Sequence, residues 1–376
     1  MPEVREGSVE NKNSRLIALD IFRGLTITTM IIVNDPGIEE RAYAPLLHAK
    51  WNGITPTDYV FPSFIFMVGI SIALSYSKQL ANGVPRGAMI RKIIRRAVIL
   101  FALGVFLSVL PYFDFANYRI PGVLQRISLV HFASALLFLY SGWKFQARLA
   151  AFILVAYCMV MTLIPVPGYG YAILEPGKNL AAWLDAIVIP GRMWQGTWDP
   201  EGILSSFPAV VTGILGMLAG QWVLGKQTVE RKIIWLFFAG FLSFALANFW
   251  NGWFPINKNL WTSSFVLYTA GLDAMILASL YFLVDVLGHR RGWKFAMIYG
   301  SNAIAAYLVA EVFSDLLVYR WGGREQGKSI NDWVIEKLLP TGISPELLSF
   351  IWALAFCALC FIPIYVLYRK KIFLKI

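Results

Sequence analysis

HAKWNGITPTDYVFPSF, residues 48–64, passes from a polar loop into a hydrophobic run. It holds His48, one of only three histidines, then a Trp51-Asn52-Gly53 turn, then Asp58. The Thr-Pro-Thr-Asp run is a helix-start signal, because short polar side chains accept hydrogen bonds from the first free N–H groups of a helix. From residue 59 onward the chain is apolar enough for a bilayer. An imidazole and a carboxylate are therefore expected at the mouth of a membrane helix, where a buried titratable group needs a reason.

Working outward, the same apolar quality recurs along the chain. Of 376 residues, 58% are hydrophobic and 15% charged, and the mean hydropathy is +0.61. A soluble domain carries about 25% charged residues. A spanning helix needs about 20 mostly apolar residues. Segments of that kind are expected at 16–33, 59–76, 97–112, 123–140, 149–164, 203–224, 233–250, 261–284, 295–318 and 347–367, the third and fifth being short. The reading is an all-α polytopic integral membrane protein of about ten transmembrane helices. Residues 1–15 form an N-tail, 16–368 a single transmembrane domain, and 369–376 a basic C-tail. The N-tail lacks the apolar region of a cleavable signal, so the first hydrophobic helix is expected to direct insertion and to stay.

Orientation follows from Lys and Arg. The N-tail, 77–96, 141–148, 225–232, 285–294 and the C-tail together carry 21 of them, and the opposite loops carry 10. Both termini are expected to be cytoplasmic and His48 to face the other compartment. The net charge of +11 fits basic inner loops. No basic stretch interleaved with aromatics points to nucleic acid. The outward stretch 165–202 is long for a structureless connection. It is either a lid or binding surface or a simple cap, with a short interfacial helix expected at 179–189.

Several polar groups fall within the apolar segments. Asp20 and Arg23 share a helical face and can pair. Gln125 and Arg126 open the fourth segment, near the outer leaflet. Asp273, Asn302 and Glu311 add to the eighth and ninth. So many buried polar groups imply a wet cavity, which an enzyme and a transporter share. His131 reads as a hydrogen-bonded packing residue, and His289 as solvated or near a ligand. Cys357-x-x-Cys360 sits in FCALCF and reads as buried thiols. HExxH, P-loop and G-x-S-x-G patterns are missing, and no spacing suits a metal. Arg91, Lys92, Arg95 and Arg96 make two basic rows on one helix end, either a lipid anchor or a dock for a phosphate-rich ligand.

The segments LDIFRGLTI (19–27), IVNDPG (32–37), HAKWNGITPTDYVFPSFIFMVGISI (48–72), GVLQRI (122–127), DPEGILSSFPAVVTGILG (199–216), FPINKNLWTSSFVL (254–267), GSNAI (300–304) and AEVF (310–313) carry a resemblance. Their types and order resemble the heparan-α-glucosaminide N-acetyltransferase family of transmembrane acyltransferases, and a compact bacterial member of it. The resemblance implies acetyl transfer from cytoplasmic acetyl-CoA to the amine of glucosamine, or of a glucosamine-terminated glycan, on the far side. No counterpart of the large lumenal domain of animal members falls among these residues, which argues against a heparan chain as acceptor. The resemblance also implies a bacterial inner membrane location, a periplasmic His48 and a homodimer. No metal is implied.

His48 matches the family's catalytic histidine. An amino-sugar amine resembles an α-amino group, which titrates near pH 8, roughly, and only its neutral form attacks a thioester. An imidazole is suited to take that proton, or to carry the acetyl group itself. Asn34 matches the motif's asparagine, to hold the imidazole or to donate to the oxyanion. Asp58 either orients the imidazole or caps the second helix. The acetyl-CoA phosphates are expected at Arg91, Arg95, Arg96, Arg126, Arg231 and Arg290. The same motifs put Trp51, Asn52, Trp198, Asp199, Glu201, Asn257, Lys258 and Trp261 on the expected substrate side, the tryptophans being belt residues or sugar platforms and Lys258 either orienting substrate hydroxyls or answering a carboxylate. Two other readings stand beside this one. A transporter for sugars or small anions would use the same cavity. An O-acyltransferase of an envelope glycan would keep the fold and the role of His48.

Overall fold

The computed structural model describes residues 16–110, 113, 115, 118–318 and 328–374. The expected N-tail lies outside them. Among the described residues the chain is helical, and an isolated bridge joins Gly53 and Asn257. The helices are α1 (Ile17–Asn34), α2 (Val60–Ala81), α3 (Arg86–Val109), α4 (Val123–Tyr140), α5 (Trp143–Leu163), α6 (Leu180–Val188), α7 (Ile203–Val223), α8 (Val229–Trp250), α9 (Ser263–Leu280), α10 (Lys294–Ser301), α11 (Ala303–Val318), α12 (Ile330–Leu338) and α13 (Pro345–Arg369).

Eight of the described helices are long and apolar enough to cross a membrane, and α10 with α11 makes a ninth if that bent pair is one span. The sequence leads one to expect about ten. The difference lies in α3, which spans 24 residues but begins at Arg86 rather than at 97. The basic rows therefore belong to the same continuous helix as the apolar half, and its average hydropathy falls. The expected ninth segment is broken at Asn302 by an 86° bend. The bend is stabilised by the buried Asn302 side chain, which donates to Ile372 O at 3.0 Å and accepts from Leu374 N at 3.0 Å. The eighth segment continues past α9 as a π-helical turn, Tyr281–Val286. The interfacial helix at 179–189 appears as α6, with the Asn179 side chain capping it through Ala182 N at 2.9 Å.

Two ends of the bundle are distinguishable by their contacts. At one end Asp285 accepts from the backbone N–H groups of Ile17 and Ala18 at the start of α1, which suits a carboxylate at a helix N-terminus. The tail of α13 meets the α10–α11 break there too. At the other end Gly37, past α1, donates to Ser349 O in the first turns of α13, and Asn331 of α12 donates to Gly37 O.

The centre is built on α2, α7 and α9, while α8 packs on α9 and leaves a wide aromatic face open. The α2–α7 contact is backbone on backbone. A Cβ on Gly216 would lie 1.9 Å from Phe66 O, and one on Gly69 would lie 2.0 Å from Gly213 O. Small residues at such crossings gain packing that lipid cannot supply. Gly216→Ala is expected to force the helices apart and to cost roughly 1–3 kcal/mol. A lowered thermal midpoint in detergent checks this, and an unchanged midpoint refutes it.

Candidate functional site

The stretch 48–58 folds back on itself around one carboxylate. Asp58 is almost fully buried and uses its two oxygens differently. Its Oδ1 lies 2.6 Å from His48 Nδ1. Its Oδ2 accepts from Ala49 N at 3.0 Å, Thr55 N at 3.1 Å and Thr55 Oγ1 at 3.0 Å. The two readings of Asp58 are thus both realised: it caps the turn that leads into α2, with Thr55 completing a capping box, and it holds the imidazole. An ionised carboxylate only accepts, so Nδ1 carries the proton of that bond and Nε2 is left with its lone pair. The His48 side chain is half exposed, at 50%.

A second connection supplies a cation. Lys258 Nζ lies 3.6 Å from Asp58 Oδ1, 3.1 Å from His48 Nδ1 and 3.4 Å from Nε2. Its side chain is 18% exposed. Burial pushes the ammonium below its usual range, against the opposing pull of Asp58 and Glu201. The loop that presents Lys258 is tightly fixed. Asn257 is fully buried; its side chain donates to Asn52 Oδ1 at 3.1 Å and accepts from Leu260 N at 2.9 Å, and its N–H donates to Thr262 Oγ1 at 3.0 Å. Gly53 N donates to Ile256 O at 2.8 Å. Gly53 sits at φ +104, a conformation that glycine adopts without steric cost.

The long outer stretch closes over the same end. Trp51 donates through Nε1 to Leu174 O at 2.9 Å and meets Trp198 edge to face at 5.1 Å. Beyond them Arg119 grips Asp199 at 2.7 and 2.5 Å and Glu201 at 2.5 Å, with Trp194 under its guanidinium. Burial alone would raise the Asp199 carboxyl, but Arg119 more than offsets it and holds Asp199 below the usual range. Asp185, on α6, is pushed by burial up to about 6, although Ile203 N donates to it.

Residues 15–223 match the model of a protein family described as heparan-alpha-glucosaminide N-acetyltransferase, catalytic. The chain belongs to the heparan-alpha-glucosaminide N-acetyltransferase family. The heparan-alpha-glucosaminide N-acetyltransferases of Mus musculus and Homo sapiens are each 30% identical to it, over 100% and 96% of this chain. The chain spans 62% and 60% of the length of those two relatives.

The family's matched region includes His48 and Asp58 but ends before Lys258. The structure brings His48, Asp58 and Lys258 together, and Asn52 and Trp51 adjoin them. Asn34, by contrast, is exposed in the last turn of α1, and none of the hydrogen bonds of the described residues joins it to His48. Several expectations are corrected. Trp261 is 1% exposed, donates to Thr212 Oγ1 at 3.2 Å and packs edge to face on Phe61 and Phe265, so it is core rather than a sugar platform. Asn257 is buried and spends its side chain on Leu260 of its own loop and on Asn52 of the His48 loop. Asp199 and Glu201 are engaged by Arg119, whose position 80 residues before Asp199 gives no sequence cue.

Arg126 does not join the basic rim. It opens α4 at the His48 end, donates to Ser205 Oγ at 2.5 Å and Gly202 O at 3.2 Å, and lies 5.0 Å from the Trp261 ring. Its Nε and Nη1 are buried without hydrogen-bond partners. Arg91 and Arg95, in the first half of α3, Arg231, at the start of α8, and Arg290, in the connection before α10, are exposed. Arg96 turns inward from that rim. Its Nε and the Nδ1 of His131 are buried without hydrogen-bond partners, and His131 Nε2 lies 3.3 Å from the Tyr76 hydroxyl. Asp20 and Arg23 pair at 3.4 Å as expected, with Arg23 also on Ser71. Cys158, Cys357 and Cys360 are free, buried thiols.

Proposed function

We propose that this chain is a transmembrane N-acetyltransferase that moves an acetyl group from acetyl-CoA to the amine of glucosamine or of a glucosamine-terminated glycan. The observation that carries the reading is the half-exposed His48 imidazole held at Nδ1 by buried Asp58, within a chain of this family. Its free Nε2 accepts the amine proton. The amine nitrogen then bonds the thioester carbonyl carbon, the C–S bond breaks, and the thiolate leaves as CoA. In the double-displacement form of the same reaction Nε2 takes the acetyl group first and passes it to the amine. Asn34 is the proposed donor to the oxyanion.

The two substrates come from opposite ends. Basic residues mark the cytoplasmic side, so the rim of Arg91, Arg95, Arg231 and Arg290 receives the CoA phosphates. Arg96 continues that path inward, where its buried Nε, without a hydrogen-bond partner, is costly in an apolar span unless an anion or water meets it. His48 then faces the periplasm of a bacterial inner membrane, with Trp51, Asn52 and Trp198 beside the acceptor.

The α10–α11 break favours a second reading, a transporter for sugars or small anions, since discontinuous helices line many transport sites. Those occur in matched pairs in two halves of the chain, whereas the described residues contain one. Purified protein given acetyl-CoA and a panel of amino sugars is expected to yield the N-acetylated sugar, read by mass. Sugar accumulation in liposomes without acetyl-CoA consumption overturns the enzyme reading. A product cleaved by hydroxylamine replaces the amine acceptor with a hydroxyl.

A further inference from the structure

We infer that Lys258 is a positioning residue that keeps the His48 imidazole in its proton-accepting form. This deepens the proposed function and rests on reading His48 as the base. A carboxylate beside an imidazole favours the imidazolium, and an imidazolium accepts no proton. Asp58 alone would therefore orient His48 and also disarm it. Lys258 places a positive charge 3.1 Å from Nδ1 and 3.4 Å from Nε2, and so opposes a second positive charge on the ring. It also neutralises the buried carboxylate, at 3.6 Å.

The sequence leaves Lys258 either to orient substrate hydroxyls or to answer a carboxylate. The geometry assigns it to the histidine. Its side chain is mostly covered, and all three of its close polar neighbours belong to His48 and Asp58. The loop carrying it is fixed from both sides by Asn257, through Asn52 and through Thr262. The charged groups around the imidazole are Asp58, from the turn before α2, and Lys258, from the connection before α9. Glu201, ahead of α7, acts on Lys258, and exposed Lys50 follows His48 in the chain. Arg119 holds Glu201 at 2.5 Å, which leaves Asp58 as the main counter-charge to Lys258.

A unit charge near 3 Å in water-like surroundings shifts a titration by about one pH unit. The test compares wild type, Lys258→Met, Lys258→Gln and Lys258→Arg. One readout is turnover against pH with acetyl-CoA and glucosamine. The other is the rate at which diethylpyrocarbonate modifies His48 against pH, with His48→Ala as the blank, since that reagent reacts with neutral imidazole and needs no acetyl transfer. Met and Gln are expected to move both acidic limbs to higher pH by about one unit, with KM for glucosamine little changed, and Arg to restore them. Limbs that stay in place in both neutral variants, beside a lowered thermal midpoint, reduce Lys258 to a structural counter-ion. A KM increase without movement of the limbs returns it to the sugar. If the modification limb moves in a protein that acetylates nothing, the Lys258 assignment stands and the enzyme reading falls.

Discussion

His48→Ala is expected to abolish most acetyl transfer, lowering turnover by about 10²–10⁴-fold, the range that a positioned general base supplies. The half-exposed ring projects from a loop, and its removal creates no cavity in the bundle. Protein yield and acetyl-CoA binding are therefore expected to persist, because the basic rim lies at the far ends of the helices. Single-turnover assays beside acetyl-CoA binding measurements separate the two effects. Turnover at the wild-type rate removes His48 from the mechanism. Loss of acetyl-CoA binding together with turnover points instead to a donor site that includes this end of the bundle.

Asp58→Ala is expected to damage both activity and fold. The imidazole loses the acceptor that fixes Nδ1, and turnover falls by about 10²-fold or more. Lys258 loses its counter-charge in a mostly covered position, and the turn before α2 loses a cap worth about 1 kcal/mol. Removing one partner of a buried ion pair costs about 3–5 kcal/mol; with Lys258 partly open to solvent the combined loss is expected nearer ~2–4 kcal/mol. Asp58→Asn separates the two roles. An amide oxygen can still accept at the cap, so the thermal midpoint recovers only by the cap's share, about 1 kcal/mol, whereas the imidazole and Lys258 lose their anionic partner and turnover stays low. Full activity in the Asn variant would reduce Asp58 to scaffolding.

Much of this arrangement is legible in the sequence, for identifiable reasons. The fourth segment matches α4 at both ends, since Gly122 and Ser141 bound it. Asn179 announces α6 because an asparagine before an apolar turn is a capping signal. The 48–58 stretch carries its chemistry in local spacing, so the sequence offers both roles of Asp58, partner of His48 and helix cap, and the structure shows that it fills both. Lys258 stands out in its motif, but its partner lies 210 residues away, and nothing local says what a lysine faces. Arg119 counts only as a loop charge for the same reason. The start of α3 falls eleven residues before the expected one because basic residues look like loop when a helix emerges from lipid. Residue type alone misplaces Trp261 and Arg126, and only the packing of α4, α7 and the 251–262 connection shows that they cover one another.

The glycine contact between α2 and α7 constrains how this protein can move. Asp58 is rooted at the head of α2, and Ser205, which holds Arg126, at the head of α7. With their main chains touching at Gly69, Gly213 and Gly216, these two walls behave as one girder. They cannot spread to admit a bulky glycan. An acceptor reaching His48 would instead have to pass the 165–202 covering, which is tied to Trp51 through Leu174 O. On the proposed reaction, acceptor girth is then expected to be filtered by the covering, and the distance between reacting groups to be set by the girder.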